Sequence, residues 1–190
     1  MRIYFEKAFV LILALTPLCS YSDHIGISPA GQRPSITLVV GPVGNESAAA
    51  IITYDFSLTP TLLNTGIVSG TPNILVEVGF RKDQGGGAPP TQTVYLDISA
   101  PTGLEQTPPN GNTIPISDFS WTVAVPAGSA PDVILPAGTF SSGTNQFAFG
   151  TSSSNQVFWM GGELTVNYSN NSLYASGSYS GNITYTAYIL

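Results

Sequence analysis

The side chains that could carry acid–base or nucleophilic chemistry are few. The sole histidine, His24, stands second in the expected mature chain. That leaves no credible Ser-His-Asp arrangement and no histidine metal site. Asp97, Glu105, Asp118, Asp132 and Glu163 form the pool from which a glycosidase's carboxylate pair would be drawn. Their default reading is solvated charge on loops and strand faces. Asp83 lacks the acidic spacing of a calcium loop. Gly85-Gly86-Gly87 runs into Pro89-Pro90 instead of opening a helix, so it is no phosphate cradle. Trp121, Trp159 and the tyrosines could stack on sugars. Trp121 shares its parity with Phe119 and Val123, and Trp159 shares its own with Val157, so core packing is expected for both. No catalytic residue, metal ligand or cofactor follows from this inventory, and the chain is read as no enzyme.

The elements behind these residues alternate with period 2, and no convincing helix appears. Ile36, Leu38 and Val40 alternate with smaller neighbours. Ala50, Ile52, Tyr54 and Phe56 share one parity, as do Ile74, Val76, Val78 and Phe80. Val94, Leu96 and Ile98 follow, then Phe119, Trp121, Val123 and Val125. Phe147 with Phe149, Val157 with Trp159, and Leu164 with Val166 and Tyr168 complete the series. Each set describes a strand with one wet and one buried face. The stretches 84–90, 101–111, 126–131 and 141–144 are rich in Gly, Pro and Ser and are predicted to be turns and loops. Many short strands between polar turns predict an all-β, immunoglobulin-like or related Greek-key sandwich. No biased linker divides it, so residues 23–190 are expected to form a single domain.

The first residues carry another message. Arg2, Glu6 and Lys7 precede the apolar run from Ala8 to Leu15, and Pro17 breaks it. Ser20 and Ser22 supply small residues at −3 and −1 if cleavage falls before Asp23. This predicts a secretory signal peptide over residues 1–22. The run is too short for a spanning helix, which needs ~20 apolar residues, and no other stretch could cross a membrane. Cys19, the only cysteine, would leave with the signal, so no disulfide is expected. In the mature chain Arg33, Arg81 and Lys82 face ten Asp and Glu, a net charge of −7. That argues against nucleic acid or an anionic membrane as partner. A surface so poor in charge must be covered by Ser, Thr, Asn, Gln and Gly, which suits an extracellular structural protein or a carbohydrate-facing one.

The C-terminal segment alternates longest. Tyr179, Ile183, Tyr185, Ala187 and Ile189 fall on one face; Ser178, Ser180, Asn182, Thr184 and Thr186 fall on the other. One strand of about ten residues is predicted, beyond the ~5–6 typical of strands. Gly177 is fourteenth from the end, Ile189 is penultimate, and Tyr188 stands one place earlier on the opposite face. This segment resembles the end of chaperone–usher fimbrial subunits, which commonly carry a glycine at that position and a penultimate tyrosine. The resemblance covers roughly the last 30 residues. It implies an incomplete sandwich completed by a lent strand, first from a periplasmic chaperone and then from the N-terminal extension of the next subunit. Such strand addition joins subunits head to tail into filaments. It implies a surface fibre or fimbria, reached through the periplasm, with the chaperone, the usher and other subunits as partners. Gly177, Tyr179, Ile183, Tyr185, Ala187 and Ile189 would pair with the donor. Ile25 and Ile27 are candidate donor positions in a free extension over residues 23–28. Ile36, Leu38 and Val40 are further candidates, although that segment reads more simply as the domain's own first strand. The alternative is a stand-alone secreted or surface β-domain that binds glycans or host surfaces without polymerising.

Overall fold

A strand with one apolar face must bury that face against a second layer, so the alternating sets above dictate sheets packed on sheets. A computed structural model describes residues 35–43, 66–81, 92–107, 111–128, 131–150, 157–175 and 178–190. The signal positions Ser20, Ser22 and Asp23, donor positions Ile25 and Ile27, the set from Ala50 to Phe56, the stretch 84–90 and Gly177 lie outside the described residues.

The strands are β1 (Ser35–Pro42), β2 (Ile67–Ser69), β3 (Ile74–Arg81), β4 (Thr93–Ala100) and β5 (Gly103–Thr107). Then come β6 (Thr113–Pro115), β7 (Phe119–Ala124), β8 (Val133–Ile134) and β9 (Gly138–Thr139). The last are β10 (Gly143–Gly150), β11 (Val157–Ser169), β12 (Ser178–Ser180) and β13 (Thr184–Ile189). A large sheet runs β1-β3-β11-β7-β9, with β2 and β8 also paired to β11. A smaller sheet runs β10-β4-β13, and a third runs β12-β5-β6. All ladders are antiparallel except the short β8–β11 pairing. The chain is therefore all-β, a sandwich held without any disulfide, as its alternation predicts. Among the described residues no helix is long and apolar enough to cross a membrane.

One core serves all three sheets. Ile74, Val76, Val78 and Phe80 of β3 are at most 2% exposed, and Val94, Leu96 and Ile98 of β4 are fully buried. Trp121 of β7 sits at the centre, its ring 4.7 Å from Phe140 and 6.2 Å, edge-on, from Phe147 of β10. Its indole N–H donates to the Pro136 carbonyl at 3.0 Å. That bond lets a polar ring atom sit in the interior without the cost of an unmade hydrogen bond.

Five expectations need correction. The stretch 101–111 contains β5, and its Leu104 is fully buried. Its Gly and Pro flank the strand, which pairs with the nearby β6 on one side and with the distant β12 on the other. Likewise Gly143 and Thr144 already belong to β10. The C-terminal segment is two strands in two sheets rather than one long strand. Between them the backbone passes close to β5, where a Cβ on Gly181 would lie 2.6 Å from the Leu104 side chain. A glycine there lets the chain cross from one sheet to the other. Finally, β11 turns Phe158, Met160, Leu164, Val166 and Tyr168 inward, so Val157 and Trp159 face outward, with Val157 62% exposed. At the end of β7, Val125 is also exposed.

Candidate functional site

The register of two edge strands creates the first feature. β1 pairs with β3 from Ser35↔Arg81 to Pro42↔Ile74, which places Ile36, Leu38 and Val40 on the core side. β13 pairs with β4 from Thr184↔Ser99 to Ile189↔Val94, which does the same for Tyr185, Ala187 and Ile189. β1 is the edge of the large sheet and β13 the edge of the small one. The two edges approach to within 8 Å between Cα atoms, yet no ladder joins them among the described residues. Burial falls along the way: Ile183 is 1% exposed and Tyr185 9%, while Ala187 and Ile189 are only partly buried. Ile36, Leu38 and Val40 are partly buried as well. The structure thus brings five of the sequence-selected residues to one apolar seam. It leaves Tyr179 elsewhere, fully buried under the third sheet with its hydroxyl donating to the Ala175 carbonyl at 2.8 Å.

An edge strand offers a row of backbone donors and acceptors to any extended chain beside it. A strand lying between β1 and β13 would need those edges about 9–10 Å apart, twice the ~4.8 Å spacing of a sheet. The seam is narrower than that at its closest, so insertion must spread it.

The second feature lies on the outer face of the small sheet. Alternation puts Thr93, Tyr95, Asp97 and Ser99 of β4 outside, opposite the buried Val94, Leu96 and Ile98. Register sets Gln146 and Thr186 on either side of Asp97, and Ala148 and Tyr188 on either side of Tyr95. The Tyr95 and Tyr188 rings stack with centroids 5.1 Å apart and planes 11° from parallel. The Gln146 amide donates to the Tyr188 hydroxyl oxygen at 2.6 Å. Tyr188 is in turn hydrogen-bonded to Asp97. Desolvation, then the Asp97 charge and hydrogen bond, push the Tyr188 hydroxyl above the ordinary phenol value. Asp97 Oδ1 is buried and has no hydrogen-bond partner among the described residues. One row along, the Ser99 and Thr144 hydroxyls bond each other at 2.9 Å. The opposite parity of Tyr188 is legible in the sequence. Its meeting with Tyr95 and Gln146 is not, because it depends on pairing between distant strands.

Glu105 is exposed on β5, and the other three carboxylates of the pool have separate employments. Asp118 accepts from the Tyr174 hydroxyl at 2.6 Å, and Glu163 accepts from the Asn73 amide at 2.7 Å. Asp132 accepts from the Trp159 backbone N–H at 2.8 Å. Trp159, half-buried on the outside of the large sheet, lies with its Nε1 3.6 Å from where a Cβ on Gly161 would stand.

Compared with protein-family models, curated proteins and solved structures, the chain matches none.

Proposed function

We propose that this chain is an exported structural subunit of a bacterial surface fibre, joined to its neighbours by strand addition at the β1–β13 seam. The observation that carries the reading is the seam itself. Two sheet edges that no ladder joins among the described residues approach each other, and their core-side residues Ile36, Leu38, Val40, Ala187 and Ile189 are only partly buried. An extended segment laid there would gain backbone hydrogen bonds along β13 and burial for its alternate side chains. The alternating Ile25 and Ile27 of a neighbour supply such a segment after signal cleavage before Asp23. A periplasmic chaperone and an usher are the partners this reading requires before assembly.

The competing reading is a self-sufficient secreted β-domain. What favours it is that β1 belongs to the same chain and that the seam closes below two strand spacings. One experiment separates them. The chain starting at Asp23 should form oligomer ladders that resist detergent until boiled. Deleting residues 23–34 should abolish the ladders, and a synthetic peptide of that segment should raise the melting temperature of the truncated chain. A stable monomer that ignores the peptide sinks the fibre reading.

A further inference from the structure

The outer face of the β10-β4-β13 sheet has no part in the seam, and its chemistry is of a different kind. We infer that this face binds a neutral glycan, held by the Tyr95–Tyr188 pair, Asp97 and Gln146.

The argument begins with charge. By register Asp97 is the one charged residue among the described residues of this face, which carries no cation. The single carboxylate would repel an anionic ligand, and no cation among the described residues of this face would neutralise one. The occupant must therefore donate hydrogen bonds and carry no negative charge. Asp97 is the natural acceptor. A buried carboxylate oxygen left without a hydrogen bond is costly, and such a group calls for an explanation. A ligand hydroxyl supplies one. The Gln146–Tyr188 bridge crosses β4 at the level of Asp97, and Gln146 is itself exposed. A sugar hydroxyl that replaces the Gln146 amide on Tyr188 reaches the same carboxylate.

Shape points the same way. Beside Tyr95, the neighbouring strand presents only the exposed Ala148 and Gly150. These small residues put no large side chain beside Tyr95 on that strand, and Gln146 is the next outward residue along it. The apolar C–H face of a pyranose packs on such a ring, while its hydroxyls meet Asp97, Thr186 and the Ser99–Thr144 pair. A neutral glycan alternates these two surfaces around each sugar. The inference stands whether or not the chains polymerise.

The test uses the secreted chain, immobilised in whatever assembly state it adopts. It is probed with an array of neutral hexose and N-acetylhexosamine oligosaccharides alongside sulfated and sialylated counterparts. The expected result is binding to a neutral member that weakens by about tenfold or more in Asp97→Asn and in Tyr95→Ala. Trp159→Ala, on the other sheet, should leave it unchanged. If either site variant fails to fold, Gln146→Ala at an exposed position must show the loss. Backbone amide shifts of Thr144, Gln146 and Thr186 in the unmodified chain must then move with the ligand. No neutral binder at millimolar concentration, binding confined to the anionic glycans, or loss on Trp159→Ala instead of the site variants would each overturn the proposal.

Discussion

β11 and β13 are built from the same alternating pattern, yet the fold treats them differently. β11 is paired along one side with β3 and β2 and along the other with β8 and β7. Its inward residues Leu164 and Val166 are at most 1% exposed. β13 is paired with β4 alone among the described residues, and its inward face opens from Tyr185 toward Ile189. A strand flanked on both sides fixes the domain. A strand flanked on one side keeps backbone and apolar surface in reserve, and local stability in proteins is distributed in just this uneven way. The proposed assembly seam lies at the second kind of strand, and the inferred glycan face lies on its back.

The largest effect that tests this contrast is a cavity in β11. Leu164→Ala should destabilise the domain by about 2–5 kcal/mol, measured by denaturant unfolding, because the surrounding ladders prevent collapse of the hole. A loss below about 1 kcal/mol would mean that β11 is less enclosed than its burial implies.

Alkali probes both strands together. Burial pushes the Tyr168 hydroxyl of β11 up to about 12, and the Tyr185 hydroxyl of β13 further still. The folded chain therefore keeps protons that the unfolded chain releases near pH ~10. This contribution is fully present below that pH and is lost as pH rises through the folded values. Phenolate absorbance from these two residues should appear together with the loss of sheet signal in circular dichroism. If Tyr185 titrates first while the sheet signal holds, the β13 end opens on its own and the contrast is sharper than drawn.

The smallest effect belongs to the seam. Ile189→Ala should cost only about 1 kcal/mol, since the side chain is already partly in water. A cost near that of Leu164→Ala would erase the distinction between the two strands.

How far the sequence discloses this arrangement depends on the range of the interaction. The alternation of β3 and β4 is visible because Ile74 to Phe80 and Val94 to Ile98 obey the pleat without interruption. β11 obeys it too, but Gly161-Gly162 interrupts its apolar run. Parity counted from Val157 then points Trp159 inward, whereas Phe158 and Met160 show the true face. Around Gly181 the local pattern continues smoothly through a crossing between sheets, because what demands the crossing is Leu104, more than seventy residues earlier. The approach of β1 to β13, and of Gln146 to Tyr188, has no local signature at all. Such contacts arise from ladder order, which alternation alone does not specify. The terminal residues Ala187 and Ile189 are legible as apolar, and the structure adds that they are only half covered.

The two tryptophans give the molecule a built-in optical readout. Trp121, buried to 2% exposure between Phe140 and Phe147, emits as an indole in hydrocarbon and is shielded from dissolved quenchers. Trp159, half in solvent on the opposite side of the large sheet, emits further to the red and yields to the same quenchers. Loosening of the core and covering of the outer surface are therefore distinguishable by colour within one unlabelled chain.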